Sequence, residues 1–441
     1  MEIRKETRQI EILSMDVTRH CNARCRFCFN DWANIQPASL GADLFPRIIP
    51  LMKLVKDDRF LLSCLFEPTL NDDFFTMLKQ IPAEFKDKLL FTTNLVRPLT
   101  DEQIRIMAEA PLAHINISLE SYDPEVYKML AGVKQSAFYD NLNRLAAACQ
   151  KTGTHICIIT MLLKSNYREM KEIVRRVHEE VHPWTHEIRT PYFFVAEDRS
   201  QWDKVEAELL SREEIDSTMK EVMELGYDNL VLDLRHDRNT YMKEKEVYLQ
   251  TGFRDDGSYD PIKYSYIVRI GAAGTVQFSD TMEKHDIRDI DEDLYTFCHK
   301  GLMKLEETEA SRYFDKALNL FQVKEDKDDE IQAYLDEAVI FDDRFLYLRG
   351  WAFLKNIPAE EEPECRIIVR KGHSYSASRI TVQDRPDLAE HFKAEAYRRK
   401  GFETRIDMLR NGFEKNDSIW IAFKSGKKYI MHKLIEDHIE N

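Results

Sequence analysis

Glycine and proline are scarce in this 441-residue chain, with 14 of each, about 3% apiece, against averages of about 7% and about 5%. That scarcity excludes collagen-like, linker-dominated and low-complexity architectures. Long apolar runs are also missing. No stretch approaches the roughly 18 residues of a membrane span, and Met1-Glu-Ile-Arg-Lys-Glu-Thr-Arg8 lacks the apolar core of a secretory signal. Positive charge is in deficit: 63 Lys and Arg stand against 78 Asp and Glu, a formal charge of −15. Such a chain has no general pull on nucleic acid or an anionic membrane. These absences predict a soluble, cytoplasmic protein with no membrane span and no nucleic-acid partner.

What the chain does have is a 43% hydrophobic content, enough for two or three cores at this length. Its eight cysteines are too few for a disulfide framework and are unevenly placed. Cys21, Cys25 and Cys28 fall within eight residues, whereas Cys64, Cys149, Cys157, Cys298 and Cys365 are scattered. Cys149 and Cys157 sit in apolar contexts and read as small core residues.

Between residues 10 and 235 short β-rich runs alternate with longer helical patterns. The expected strands are 10–17, 60–65, 89–93, 113–119, 155–162, 187–195 and 229–234. Most are near-continuous apolar runs, the pattern of a parallel sheet covered on both faces. Thr100 with Gln103, and Ser211 with Glu214, have capping-box spacing; Gly153 and Gly226 are placed as helix C-caps. Repeated βα units imply an open or partly rolled parallel sheet, with the chemistry at the C-terminal ends of its strands. Residues 264–278 read as a hairpin and residues 301–337 as a polar helical linker, with the charge block 324–330 as a solvated linker or helix face. Beyond 338 the period becomes strand-like, in a separate small all-β domain.

Asp16-Val-Thr-Arg-His-Cys21-Asn-Ala-Arg-Cys25-Arg-Phe-Cys28 sets a C-x3-C-x2-C loop directly after the first strand. Three thiolates this close can wrap one metal centre. A structural zinc ion would need a fourth ligand, for which His20 and Cys64 are the candidates. A [4Fe–4S] cluster on three cysteines instead leaves one iron open to a substrate or cofactor. Arg24 and Arg26 would offset the anionic charge of such a cluster. Three reduced, metal-free thiols are the remaining alternative.

With Phe27 before its last cysteine, this loop resembles the signature of the radical S-adenosylmethionine (radical SAM) superfamily. Further landmarks follow in order. Cys64-Leu-Phe-Glu-Pro-Thr-Leu70 stands where the family carries Gly-Gly-Glu-Pro, and Thr92-Thr-Asn-Leu95 where it carries Thr-Asn-Gly. Ile117-Ser-Leu-Glu-Ser-Tyr-Asp-Pro124, continuing to Met129-Leu-Ala-Gly132, is similar to the fourth strand and its helix. Lys164-Ser-Asn166 resembles the end of the fifth. Two departures stand out: Leu65-Phe66 replace the two glycines before the glutamate, and Leu95 replaces the glycine after the asparagine.

The resemblance implies an α/β fold with a partial (β/α)6 barrel over residues 8–235 and one [4Fe–4S] cluster on Cys21, Cys25 and Cys28. It implies that the open iron binds the amino and carboxylate groups of S-adenosylmethionine, with Glu67 accepting from the amino group. Ser118 and Glu120 match positions that contact the carboxylate or ribose, and the backbone near Phe27 would meet the adenine. Asn94 and Asn166 are further candidates, and each fits an ordinary loop-capping amide equally well. The family's chemistry is one-electron cleavage of S-adenosylmethionine to a 5′-deoxyadenosyl radical that abstracts hydrogen from a C–H bond, with a partner such as flavodoxin or ferredoxin as reductant.

Residues 236–300 resemble a SPASM/twitch extension, with Ser279 where a cysteine would hold an auxiliary cluster. They are expected to form a cap without a second cluster. Residues 338–441 resemble a small β-sandwich module found beside enzymes of surface-polysaccharide assembly. There Trp351 reads either as core or as a sugar-stacking face. The substrate expectation is a saccharide or nucleotide-sugar. The alternatives are a peptide or protein, supported by the SPASM-like layout and slightly weakened by no obvious leader-recognition domain before residue 10, and a non-catalytic metal-binding scaffold. Cys64, Cys298, Tyr122, Tyr192 and Asp280 are candidates for returning a hydrogen atom or taking a proton; the catalytic residue is not identified by sequence.

Overall fold

Near-continuous apolar runs can be satisfied only where both faces of a strand are covered, and the chain builds its sheet that way. The computed structural model describes residues 3–28, 30, 32, 35–63, 65–135, 137–193, 200–251, 266–278, 283–315, 323–326, 330–355, 357–358, 360–371, 374–410, 417–425 and 428–435. They form two compact units, Gln9–Cys298 and Met1–Arg8 with His299–Asn441.

In the first unit seven strands follow one another as parallel neighbours: β1 (Ile12–Met15), β2 (Phe60–Ser63), β3 (Leu89–Thr93), β4 (His114–Ser118), β5 (His155–Met161), β6 (Thr185–Arg189) and β7 (Leu230–Asp233). Leu13, Phe60, Leu62, Leu89, Phe91, Ile115, Ile117 and Ile158 on these strands are fully buried. Both anticipated capping boxes close, at Thr100 for helix Asp101–Glu109 and at Ser211 for helix Arg212–Met223. Gly153 ends helix Phe138–Thr152 in the left-handed conformation. Gly226 takes a φ of +71°, just beyond the cap residue Glu224.

The sheet is not closed. On the free side of β1 it continues with Ile267–Gly271, parallel to β1, and then with Thr275–Phe278 and His285–Asp286, both antiparallel. The described part of the hairpin read at 264–278 therefore extends the barrel sheet. A physical reason is at hand: an uncovered β1 would leave a row of unpaired backbone groups, and Ile267–Gly271 pairs with them. Ser279 and Asp280 lie outside the described residues.

One buried side chain of this sheet makes stability sensitive to acid. His186 on β6 is fully buried; its Nε2 lies 2.9 Å from the Thr160 hydroxyl, and its Nδ1 has no partner among the described residues. Burial, with His178 adding to it, pushes the imidazole down to about 3. Folded, the ring stays neutral where the unfolded ring, near about 6.5, takes up a proton. Stability is therefore expected to fall as pH drops from about 6.5 towards 3, by up to about 1.4 kcal/mol per unit from this group. Urea denaturation across that range should show a shallower slope for His186→Leu.

The second unit is a two-sheet sandwich. One sheet runs Arg4–Glu6, Ile331–Phe341, Phe345–Leu354, Gly401–Asp407, Thr381–Gln383. The other runs Phe314–Asp315, Ser374–Ser378, Cys365–Lys371, Ser418–Ser425, Lys428–Ile435, Val323–Glu325. Ile340, Leu346, Leu348 and Ile406 from the first sheet pack with Ile367, Ile419, Ile421 and Phe423 from the second. The all-β domain is thus as expected in kind, but its bounds differ. The helix Leu294–Tyr313 stops well short of 337, and Ile331–Phe341 is a strand. Within the charge block, Val323–Glu325 is an edge strand and Asp326 accepts from the amides of Glu330 and Ile331. Trp351 is half-buried, with ring centroids of Tyr334 at 6.2 Å, Phe353 at 5.9 Å and Phe392 at 5.7 Å. Among the described residues no helix is long and apolar enough to cross a membrane.

Candidate active site

The loop after β1 is laid against the end of the helix Pro124–Ala131. The amides of Arg24 and Arg26 donate to the carbonyls of Ala131 and Leu130, each at 2.9 Å, satisfying acceptors that a helix C-terminus leaves open. Gly132 closes that helix at a φ of +72°, and a Cβ there would stand 2.9 Å from the carbonyl oxygen of Arg24. A side chain would push the loop away, which is the structural sense of the Met129-Leu-Ala-Gly132 landmark. Within the loop the Cys28 amide donates to the Cys25 carbonyl at 3.1 Å.

Cys21, Cys25 and Cys28 border a cavity of about 260 Å³ at the C-terminal ends of the parallel strands. Phe27, Asn30, Leu65, Phe66, Glu67, Asn94, Ser118, Glu120 and Met161 share its wall, as do Arg189, Thr190, Pro191, Tyr192 and Asp233. Burial pushes the Cys21 thiol up to about 11, the Cys25 thiol well above its usual value, and the Cys28 thiol upward too. Bare, these thiols hold their protons at neutral pH; a bound metal centre would take them as thiolates. Among the described residues no three His, Cys, Asp or Glu side chains are close enough to hold a single metal ion, and His20 is exposed. A cubane does not need that closeness, because each cysteine binds a different iron. The donor set fits such a cluster: three thiols on one loop, beside a cavity with room for a further ligand.

Glu67 is fully enclosed. Its Oε1 accepts from the Thr69 amide at 3.2 Å, the Thr69 hydroxyl at 2.6 Å and the Thr93 hydroxyl at 2.8 Å, while Oε2 accepts from the Asn94 amide at 2.7 Å. Burial raises its pKa against the lowering effect of those bonds, first among them the Thr69 hydroxyl. The carboxylate is aimed before any ligand arrives, with Oε2 keeping acceptor capacity towards the cavity. Asn94 donates its side-chain amide to Asn22 at 2.9 Å and to the Cys21 sulfur at 3.7 Å. Ser118 ends β4 on the cavity wall. Glu120, two residues on, accepts the Met161 amide at 2.9 Å, and burial pushes it up to about 8.

Asn166 is not on the cavity wall. Its amide donates to the carbonyls of Glu120 at 2.7 Å and Met161 at 2.8 Å, and its oxygen accepts from the Leu163 amide at 2.8 Å. It ties the loop after β4 to the loop after β5. Of the proton- or hydrogen-transfer candidates, Tyr192 borders the cavity. Cys298 is buried elsewhere with its thiol pushed up to about 12, and Tyr122 is stacked on Tyr139. Cys64 lies outside the described residues. Arg189 and Asp233 were not singled out by sequence. The expected strand 187–195 runs past the observed end of β6 at Arg189, so a strand-end residue looked like a mid-strand one.

Leu95 occupies a family glycine position and keeps the glycine's backbone: its φ is +50°, and its side chain is fully buried. The turn is held by the Thr93 hydroxyl, which accepts the Leu95 amide at 3.1 Å, and by Asn141, which donates to the Leu95 carbonyl at 2.8 Å. A left-handed non-glycine residue costs about 1–2 kcal/mol, while emptying a buried leucine site costs about 2–5 kcal/mol. Packing therefore outweighs strain. Leu95→Gly and Leu95→Ala are both expected to be destabilised in urea, the glycine variant by about 1 kcal/mol less than the alanine one.

An open parallel sheet whose first loop presents three cysteines to a cavity at the strand ends is the architecture of radical SAM enzymes. Residues 15–177 match the family model described as the radical SAM superfamily, and this segment of the chain is a radical SAM domain. The family uses a [4Fe–4S] cluster and S-adenosylmethionine.

The chain is 31% identical over 127 residues to the probable GTP 3′,8-cyclase of Thermococcus kodakarensis, an alignment covering 29% of this chain and 40% of that protein. It is 23% identical over 180 residues to the tungsten-containing aldehyde ferredoxin oxidoreductase cofactor-modifying protein of Pyrococcus furiosus, covering 38% of this chain and 48% of that one. It thus spans less than half the length of either relative. Among solved structures, Streptococcus suis SuiB bound to precursor peptide SuiA aligns over 66% of this chain and 65% of its own, at 18% identity and a TM-score of 0.48.

Proposed function

We propose that this chain cleaves S-adenosylmethionine reductively and uses the resulting radical to take hydrogen from a substrate C–H bond. The observation that carries the reading is the convergence of Cys21, Cys25, Cys28, Glu67, Ser118 and Glu120 on one cavity at the strand ends. When bound, the [4Fe–4S] cluster on the three cysteines supplies the electron that splits the sulfonium into methionine and a 5′-deoxyadenosyl radical. The protein's part is to hold and orient. Glu67, fixed by four donors, offers its remaining acceptor capacity to the methionine amino group, in a bond assisted by the charge of the carboxylate. Ser118 and Glu120 offer polar groups to the carboxylate and ribose, and Phe27 offers the loop backbone to the adenine.

We infer that the substrate is a saccharide or nucleotide-sugar. Two features support this: the sequence resemblance of residues 338–441 to modules beside polysaccharide-assembly enzymes, and the polar groups of Arg189, Tyr192 and Asp233 on the cavity wall, which suit hydroxyl and phosphate groups. In this reading the enzyme works in the cytoplasm, with a flavodoxin or ferredoxin as its reductant.

The test is anaerobic reconstitution with iron and sulfide, then dithionite and S-adenosylmethionine, reading 5′-deoxyadenosine. A loaded, reducible protein that makes none with any candidate substrate would instead be a binding scaffold. Deuterium transfer into 5′-deoxyadenosine from labelled sugar pools is the expected result; transfer from labelled peptides would overturn the saccharide assignment.

A further inference from the structure

The cysteine loop is gripped from two sides, and only one belongs to the landmarks described above. On the first side are the Leu130 and Ala131 carbonyls. The second grip comes from Gln201 and Glu208, beyond the segment 15–177 that matches the family model. Gln201 is buried and its Nε2 donates to the Asn30 carbonyl at 2.8 Å. Glu208 is 1% exposed, and its Oε1 receives Arg26 Nη1 at 2.8 Å. The same carboxylate accepts the Ser165 hydroxyl on Oε1 and the Ser165 amide on Oε2, each at 3.0 Å, and the Glu208 carbonyl accepts the Lys164 amide at 2.8 Å. Arg26 lies between Cys25 and Cys28, and is held by its main chain on Leu130 and by its side chain on Glu208.

We propose that Glu208 is a positioning residue for the cysteine loop: it pins Arg26, fixes the path from Cys25 to Cys28, and keeps the arginine's charge paired beside the thiols. A buried carboxylate is costly unless its lone pairs are met. Here Ser165 holds the carboxylate in place, and the guanidinium comes to a fixed anion. The Arg26 side chain is 42% exposed, so without Glu208 it would turn to solvent and release the loop. The pairing also has an electrostatic consequence. Together the two charges nearly cancel; alone, each would bias the reduction of an anionic cluster, and in opposite directions. This second consequence rests on the reading that the three cysteines hold a cluster.

The experiment has two arms. In the metal-free protein, hydrogen exchange of the Arg24, Arg26 and Cys28 amides is expected to speed up at least about tenfold in Glu208→Gln and in Arg26→Gln, the latter altering a half-exposed side chain that the fold can spare. Unchanged exchange in both variants would overturn the positioning role, whatever metal the protein takes. In the cluster-loaded protein, the midpoint potential should rise in Glu208→Gln, fall in Arg26→Gln, and return towards the starting value in the double variant. Shifts of one sign, as a merely loosened loop would give, would overturn the charge pairing. Failure of the parent protein to take up any cluster would count against the proposed function, and the exchange arm would still decide the positioning role.

Discussion

Cys25→Ala is expected to reduce reconstituted iron and sulfide to background and to abolish 5′-deoxyadenosine formation, while leaving the fold intact. Two cysteines cannot hold a cubane that needs three protein thiolates and leaves its fourth iron for the cofactor. The loop, however, does not depend on the Cys25 side chain for its path. The Arg24 and Arg26 amides remain on the helix end, and the carbonyl of residue 25 still accepts from Cys28. Circular dichroism should therefore be unchanged while the visible absorption of the cluster disappears. Cys149→Ala is the matching control. Its thiol is buried in the helix Phe138–Thr152, away from the cavity wall, so it should cost stability and spare the iron. Retained iron and product in Cys25→Ala would remove the cluster from this loop.

Glu67→Gln is expected to lower both stability and affinity for S-adenosylmethionine, although it changes hardly any volume. The glutamate takes four donors, and two of them, the Thr69 and Asn94 amides, are backbone groups that cannot rotate away. An amide side chain has one acceptor and turns its NH2 towards one of those two N–H groups whichever way it flips. A lost charge-assisted bond and a buried donor without a partner together amount to about 2–4 kcal/mol. Thermal denaturation without cofactor reads the first effect, and calorimetric titration of the loaded protein with S-adenosylmethionine reads the second. Thr93→Val should reproduce part of the stability loss, since it removes one donor to Oε1. A Glu67→Gln protein as stable as its parent would mean that the four bonds do not hold this carboxylate.

The site was more legible in the sequence than the domain bounds were, because its signals are local. Cysteine spacing, a Glu-Pro after one strand and a Thr-Asn after the next are each contained in a few residues, and each falls at a strand end where the fold converges. Long-range features left weaker marks. Residues 331–337 look helical because a bulge between Leu335 and Glu337 breaks the two-residue period; the buried positions Ile331, Leu335 and Ala338 are spaced as on a helix. Arg4–Glu6 carries no apolar residue at all, so no period exists to read. Asn166 is by sequence a ligand candidate and equally a loop-capping amide, since an asparagine at a strand end serves both purposes; its three hydrogen bonds brace the turns. Leu95 is the converse case. The sequence marks it as a departure from glycine, and only the backbone shows that the glycine's conformation was kept.

The pairing of Arg4–Glu6 with Val339–Phe341 has a consequence for biogenesis. These three residues leave the ribosome more than 300 residues ahead of their partner strand. The barrel strands, each paired with a neighbour close in sequence, can assemble meanwhile. The sandwich sheet gains this edge strand only once synthesis has passed Phe341, so this segment must wait for its partner while the intervening unit is made. A bulky insertion just before Arg4 would thus burden a late step of maturation, not an early one.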